Sequence, residues 1–341
     1  MSCPSLLLFA ALSLAAADPV DDVSGEVNVY SSRHYDTDRE LYRAFEEETG
    51  IAVRLVEASG DALLARIRSE GANSPCDLYV TVDAGRLHAA EAAGLFEPLR
   101  SERLEGRVPE HLRHSQGHWF ALTKRARCIF YARSAVRPEE LSTYEALADP
   151  KWKGRVLIRS SSNVYNQSLV GSLLARVGEE ATEEWARGLV ANLARKPQGG
   201  DTDQIRAVAA GEGDLAVANS YYYAKLMKSD DPADREVVEK VGIFFPNQGG
   251  RGTHVNVSGA GIVKTAKNEE NARRLLEFLL SDASQRMLAR GNNEFPVVPG
   301  VEPDDVVKPW LEFEFDTETP VEELGRRNKQ AILLMDRVGW R

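Results

Sequence analysis

The chain is poor in cysteine. Of three in 341 residues, only Cys76 and Cys128 lie beyond the extreme N-terminus. Two cysteines cannot make a disulfide framework, and no C-x-x-C or Cys/His spacing suggests zinc. Their surroundings, "SPCDLYVTV" and "RARCIFYAR", read as strands, so buried free thiols are expected. Concentrated positive charge is also missing: 42 basic residues stand against 52 acidic ones, for a net charge of −10. No basic block exceeds the "GRR" at residues 325–327, which argues against nucleic acid or anionic lipid as a partner. Past residue 20, no stretch approaches the roughly 18 apolar residues of a membrane span. Enzyme signatures are absent as well. There is no G-x-S-x-G elbow, no open two-His-one-carboxylate triad and no pair of catalytic carboxylates.

What is present begins with "MSCPSLLLFAALSLAAADPV". An apolar run from Leu6 to Leu14 followed by Ala15, Ala16 and Ala17 has the form of an export signal, so residues 1–17 are expected to be removed. Cys3 precedes the apolar run, which argues against a lipid anchor. The mature chain is therefore expected to be soluble and exported.

Strand and helix patterns then alternate. "EVNVYSS" alternates apolar and polar residues, and "DTDRELYRAFEEETG" shows helical spacing with Gly50 as its stop. "IAVRLVEA", "DALLARIRSEG", "CDLYVTVD" and "AGRLHAAEAAG" continue the cycle, predicting an α/β fold with a mostly parallel sheet. A second α/β unit follows, through "GRVLIRSS", "SLVGSLLARVGEEATEEWARGLVANL" and "TDQIRAVAAGEGDLAVANS". Near the end, "HVNVSGAGIVK" is strand-like and "NEENARRLLEFLLSDASQRMLARG" gives two helices. With 43% hydrophobic residues the chain can fill two cores, and no flexible linker or internal repeat divides it.

Open α/β sheets bind ligands at the carboxyl ends of their strands, so the residues just after strands are the place to look. After "VNVYSS" come Arg33, His34 and Tyr35; after "VLIRSSS" comes Tyr165; after "LAVANS" come Tyr221, Tyr222 and Tyr223. Three strand ends thus each deliver a phenol, and one adds an imidazole. Hard, anionic oxygen donors suit a small, highly charged cation, and ferric iron is the biological trivalent example. Calcium or magnesium would call for clustered carboxylates, which are absent here.

The segments "YSSRHYDTDRELYRAFEEETGI", "TVDAGRLHAAEAAGLFEPL", "RSSSNVYNQSLVGSLLA", "VANSYYYAKL", "THVNVSGAGI" and "LMDRVGW" resemble the periplasmic ferric-iron-binding proteins of bacterial ABC transporters. The resemblance runs from about Gly25 to the C-terminus. It implies a two-lobed periplasmic solute-binding fold (type II-like), closing on Fe³⁺ in a cleft between lobes joined by crossing hinge strands. The first lobe would take residues 25–124 and about 250–295; the second, 125–249 and about 296–341. Matched residue by residue, it implies Tyr35, Tyr165, Tyr221 and Tyr222 as iron ligands, and Arg125, first arginine of "KRAR", as a neighbour of the metal. The implied partner is an inner-membrane ABC permease, and a monomer is expected. No carboxylate ligand is matched, which leaves the need for an accompanying anion open.

His34 could ligate directly, donate a hydrogen bond behind the ligands, or swing away as the lobes open. Consecutive helical residues point about 100° apart, so three tyrosines cannot share one target. The resemblance, whose pattern is Tyr-Tyr followed by an apolar residue, implies that Tyr223 is the one that packs or lines the cleft rim. His111, His114 and His118 cluster in "HLRHSQGH" at a spacing that could hold a divalent metal, but a solvated loop is the simpler reading, since nothing nearby in sequence completes the site. A competing reading of the whole is an exported binder of another small anion, such as a phosphonate. Arg33, Arg125 and the Ser160–Ser162 run would then grip it.

Overall fold

The structure is a computed structural model and describes residues 25–341. The expected export signal at 1–17 lies outside the described residues. The first βαβαβ run is β1 (Gly25–Ser31), α1 (Asp36–Thr49), β2 (Ile51–Glu57), α2 (Gly60–Glu70), β3 (Leu78–Val82) and α3 (Ala84–Ala92). Val27 and Val29 of β1 and Leu41 and Phe45 of α1 are buried together. Each such side chain contributes roughly 1.5–3 kcal/mol by leaving water. Gly50, at φ 73°, closes α1 in the left-handed conformation that a side chain would strain.

After α4 (Glu102–Arg107), the 13-residue strand β4 (Phe120–Ala132) does what the sequence patterns did not disclose. Its first half pairs with β8 (Val255–Ile262) and its second half with β6 (Leu215–Asn219), both antiparallel. One strand therefore belongs to both halves of the sheet, whose order is β2-β1-β3-β8-β4-β6-β5 with β5 at Val156–Leu157. The expected mostly parallel sheet holds only for β2-β1-β3 and β5-β6. The strands that cross between the halves run antiparallel to their neighbours, since a chain returning across a hinge reverses direction.

The second half contains α5 (Val164–Ala191), α6 (Asp201–Ala209), α7 (Ser220–Met227), α8 (Pro232–Lys240) and β7 (Val241–Phe244), which pairs with β4. β4 alternates across this sheet: Ile129 and Tyr131 face one core with Trp185 and Trp340, while Cys128 and Phe130 face another with Ile205 and Tyr223. Cys76 and Cys128 are both buried and unpaired, as expected. α9 (Glu269–Leu279) and α10 (Asp282–Asn292) return to the first half, and β9 (Phe295–Pro296) pairs with β4.

The C-terminal segment, expected in the second lobe, is shared. Val297, Val298 and Val301 pack in the first core, whereas Val307 packs in the second half. Helix α11 (Val321–Arg326) places Val321 and Leu324 in the first core, and α12 (Asn328–Arg337) places Leu334 and Met335 in the second. α11 also lies tight on α5, where a Cβ on Gly171 would stand 2.9 Å from the Leu324 carbonyl oxygen. Among the described residues, no helix is long and apolar enough to cross a membrane.

The two crossing segments are pinned by one phenol. Tyr144 Oη donates to the Arg127 carbonyl of β4 and accepts from the His254 N–H just before β8 at 3.3 Å. Replacing it by phenylalanine leaves a buried carbonyl and a buried N–H without this partner. Tyr144→Phe is expected to lower the unfolding free energy by about 1–3 kcal/mol in urea denaturation. No change in the midpoint would refute this role.

Candidate metal centre

Three helices begin where strands end, and each carries a tyrosine in its first turn or at its cap. Tyr35 is the N-cap of α1, Tyr165 is the second residue of α5, and Tyr221 and Tyr222 follow Ser220 at the start of α7. β6 runs into α7 without a spacer, so Asn219 is both the last strand residue and the cap. Helix N-termini carry partial positive charge and favour anionic groups, a phenolate among them.

These side chains meet. Tyr35, Tyr165, Tyr221, Tyr222 and His34 line a single cavity of about 380 Å³, together with Ser59, Gly60 and Arg86. Tyr221 Oη lies 3.4 Å from Tyr165 Oη, and the Tyr221 and Tyr222 rings pack at 4.2 Å between centroids. Tyr223 turns away, as expected. It is buried and donates to the Val241 carbonyl at 2.6 Å, which makes it part of the packing beneath the site. His34 stands at the rim with its side chain 54% exposed, its Nδ1 3.7 Å from Glu57 Oε1.

Guanidinium groups surround the phenols. Arg125 lies over the Tyr165 ring at 5.3 Å, with Arg159 at 5.9 Å and Arg127 at 6.0 Å. Arg125 is buried; its Nη1 donates to Ser258 Oγ at 2.9 Å, while its Nε and Nη2 find no partner. Unsatisfied buried donors of a cation are costly, and here they belong to the guanidinium beside the phenols. Arg33, which the sequence offered only as an anion grip, is committed elsewhere. It forks onto Asp38 at 2.6 and 3.1 Å and stacks on the Tyr35 ring at 4.9 Å, fixing the loop that carries Tyr35.

Sequence reading missed three residues that position the phenols. Arg127 donates to Asn166 Oδ1 at 2.6 Å and to Asn219 Oδ1 at 3.0 Å, tying the residue after Tyr165 to the cap before Tyr221. Asp201, buried at the start of α6, holds Arg127 at 3.3 Å and accepts from the Asn219 N–H. Glu294 is buried between Arg33 at 3.3 Å and Arg125 at 3.4 Å. Their partners lie 18 to 261 residues away along the chain, so no local pattern flags them. The second arginine of "KRAR" was the one visible signal.

The environment holds Tyr35, Tyr221 and Tyr222 protonated. Burial pushes Tyr35 well above its ordinary value, Glu294 adds to this, and Arg33 opposes it. Burial likewise raises Tyr221, with Tyr165, Tyr35 and Tyr222 adding to the shift and Arg125 countering it. Tyr222 rises through burial, Tyr165 and Asp201, against Arg159. A group raised by burial and by like charges can be ionised only if a cation enters the cavity.

A curled mixed sheet with two lobes and a polar cleft between them defines a solute-binding protein. The sequence comparisons bear this out: residues 73–312 match the bacterial extracellular solute-binding protein family, and the chain belongs to it. It is 56% identical over 326 residues to iron uptake protein A1 of Synechocystis, covering 95% of this chain and 90% of that protein. A solved Trichodesmium protein, described as FutA in complex with iron and citrate, superposes with a TM-score of 0.91 at 54% identity. That match covers 93% of this chain and all of the other. A ferric binding protein from Campylobacter jejuni superposes with a TM-score of 0.86 at 41% identity, over 92% of this chain and all of that one.

Spectrophotometric titration of the ligand-free protein tests the electrostatics. Tyr35, Tyr221 and Tyr222 should ionise above the ordinary tyrosine value of about 10. Tyr222→Phe should remove absorbance change only from the alkaline end of the curve. Loss of amplitude near neutral pH would contradict the assignment.

Proposed function

We propose that this protein captures ferric iron outside the cytoplasm and delivers it to an ABC transporter permease, acting as a carrier and not as an enzyme. The observation that carries this reading is the gathering of four phenols, from three strand–helix junctions and both lobes, in one cavity beside a buried guanidinium with two unsatisfied nitrogens. Tyr35, Tyr165, Tyr221 and Tyr222 are the ligands in this reading, with Arg125 supporting them from behind. His34, at the rim and beside Glu57, is able to join only when the cleft closes fully. The periplasm is the compartment, and the carrier works as a monomer. The proposed lobes meet at the β4 crossing, with residues 25–124 and about 250–295 in one and 125–249 in the other. The C-terminal segment spans both.

A specific observation favours an anion bound together with the iron. Arg86, Arg159, Ser160, Ser162 and Asn163 line a cavity of about 390 Å³ that also touches Tyr165 and Tyr222. Its donors match a carboxylate or phosphate oxygen, and Arg86 Nε there is buried with no hydrogen bond, Asp61 standing 3.8 Å away. The competing phosphonate reading loses Arg33, which is held by Asp38 and Glu294.

Proton competition governs the affinity. At pH 7, ionising even a free tyrosine costs about 4 kcal/mol, and burial raises that cost in this cleft. Ferric iron must supply it by direct attraction, and each bound phenolate releases a proton. Ferric citrate is expected to give a visible tyrosinate charge-transfer band, with transfer to a chelator accelerating steeply as pH falls. Tyr165→Phe and Tyr222→Phe should weaken uptake and shift the band. Tyr223→Phe should leave the band in place and cost only about 1 kcal/mol of stability. A colourless protein, or retention independent of pH, would refute the phenolate site.

Closure supplies a separate check. Tyr35 and the other three tyrosines come from different lobes, so iron should draw the lobes together by hinge motion. Small-angle scattering of a protein stripped of iron should give a larger radius of gyration than the loaded form. A radius that stays fixed while the colour develops would rule out ligands contributed by both lobes.

A further inference from the structure

The histidine loop is solvated only at its tip, and His114 is turned inward. His114 is buried, and its ring stacks on His118 with centroids 4.5 Å apart and planes 13° apart. α3 brings Glu91 to this pair: Glu91 Oε1 lies 2.9 Å from His114 Nε2 and 3.9 Å from His118 Nδ1. α11 brings Glu322, whose Oε2 lies 3.5 Å from the same His114 nitrogen. His118 Nδ1 is sealed from solvent and has no hydrogen-bond partner. The carboxylate that the loop lacked in sequence comes from helices 23 and more than 200 residues away.

We propose that Glu91, His114 and His118, with Glu322 beside His114 and able to join them, form a second metal site, in the first lobe and apart from the tyrosine cleft, for a divalent ion such as Zn²⁺. A tetrahedral ion with bonds of about 2.0–2.1 Å to nitrogen and oxygen holds its donors about 3.3 Å apart. Three of the separations, 2.9, 3.5 and 3.9 Å, fall on both sides of that distance, and the Glu91, His114 and His118 donors all lie within 4.8 Å of one another. Two imidazoles and two carboxylates suit zinc, whereas the phenol cleft suits a trivalent ion. Both carboxylates are already held in place. His88 Nδ1 stands 3.3 Å from Glu91 Oε2, the oxygen turned away from the histidines, and Ser115 donates through both its N–H and its hydroxyl at 3.1 Å to Glu322 Oε2, the oxygen that faces His114.

One contact has to change. The Gln116 N–H donates to His114 Nδ1 at 3.1 Å, which puts the ring proton of the empty site on Nε2. A metal on Nε2 moves that proton to Nδ1, where it would face another N–H. His114 to Gly117 form a tight turn closed by Gly117 N–H to the His114 carbonyl at 2.9 Å, with Ser115 and Gln116 exposed at its tip. Reversing the Ser115–Gln116 peptide replaces the N–H by a carbonyl, which is the acceptor that a metallated imidazole requires. The reversal forces Gln116 to a positive φ, which glycine tolerates and glutamine resists.

Calorimetric titration of Zn²⁺ into the full exported chain, with and without ferric citrate filling the cleft, tests this. Co²⁺ serves as the spectroscopic stand-in. The expected result is one equivalent of Zn²⁺ bound in both conditions, with the d–d absorption of tetrahedral Co²⁺. His118→Ala and Glu91→Gln should each weaken it by more than about tenfold while the ferric band and circular dichroism are retained. Gln116→Gly should tighten it. No stoichiometric uptake, or uptake undiminished in either ligand variant, would overturn the site.

Discussion

A chain of buried ion pairs runs beneath the cleft, and the placing of the tyrosines depends on it. Asp38, Arg33, Glu294 and Arg125 link in the first half; Arg127, Asp201 and Arg159 link in the second. Buried charges of this kind are tolerable only when paired and hydrogen-bonded, and removing one partner strands the other. Each half also has a member that grips an element carrying a phenol: Arg33 the Tyr35 loop, and Arg127 the starts of α5 and α7. The geometry of the site is therefore inherited from the ion pairs, which fold whether or not a metal is present.

The β4 strand makes the same residues serve both lobes. Arg125 and Arg127 lie two positions apart on it, with Arg125 in the stretch paired to β8 and Arg127 in the stretch paired to β6. The strand that joins the halves is thus also the floor of the cleft. His254, beside the crossing, is buried among Arg127, Arg251 and Arg125, and burial together with these charges pushes its ring pKa down to about 3. A fourth positive charge at the crossing is avoided because this ring stays neutral.

Much of this was legible in the chain, for identifiable reasons. The elements from β1 to α3 follow from hydrophobic period and glycine stops, because their cores are built from near neighbours. The tyrosines could be found because β6 runs straight into α7, so position in sequence fixes position in space. Helical geometry required one tyrosine of the three to turn away, and the family pattern pointed to Tyr223. By contrast, β4 was missed as a crossing strand, since a strand buried on both faces looks the same wherever its partners lie. Glu294 and Asp201 had no local signature. Glu91 defeated the reading of the histidine loop in the same way: the ligand that changes its meaning sits on another helix.

The charge balance of the network suggests how a carrier can hold a trivalent ion and still let it go. Four guanidinium groups, Arg33, Arg125, Arg127 and Arg159, face three carboxylates, Asp38, Glu294 and Asp201, leaving one positive charge in excess. With neutral phenols the empty cleft keeps that excess, which favours the approach of an anionic iron chelate. In the proposed site, Fe³⁺ and four phenolates add one negative charge, which cancels the excess of this network. Fe²⁺ with the same ligands would leave one negative charge in excess inside a low-dielectric site. Reprotonating a phenolate removes that excess and a ligand in one step, so reduction and acid act in the same direction. The buried network makes this possible by holding its own charge constant, since guanidinium groups do not titrate in the physiological range.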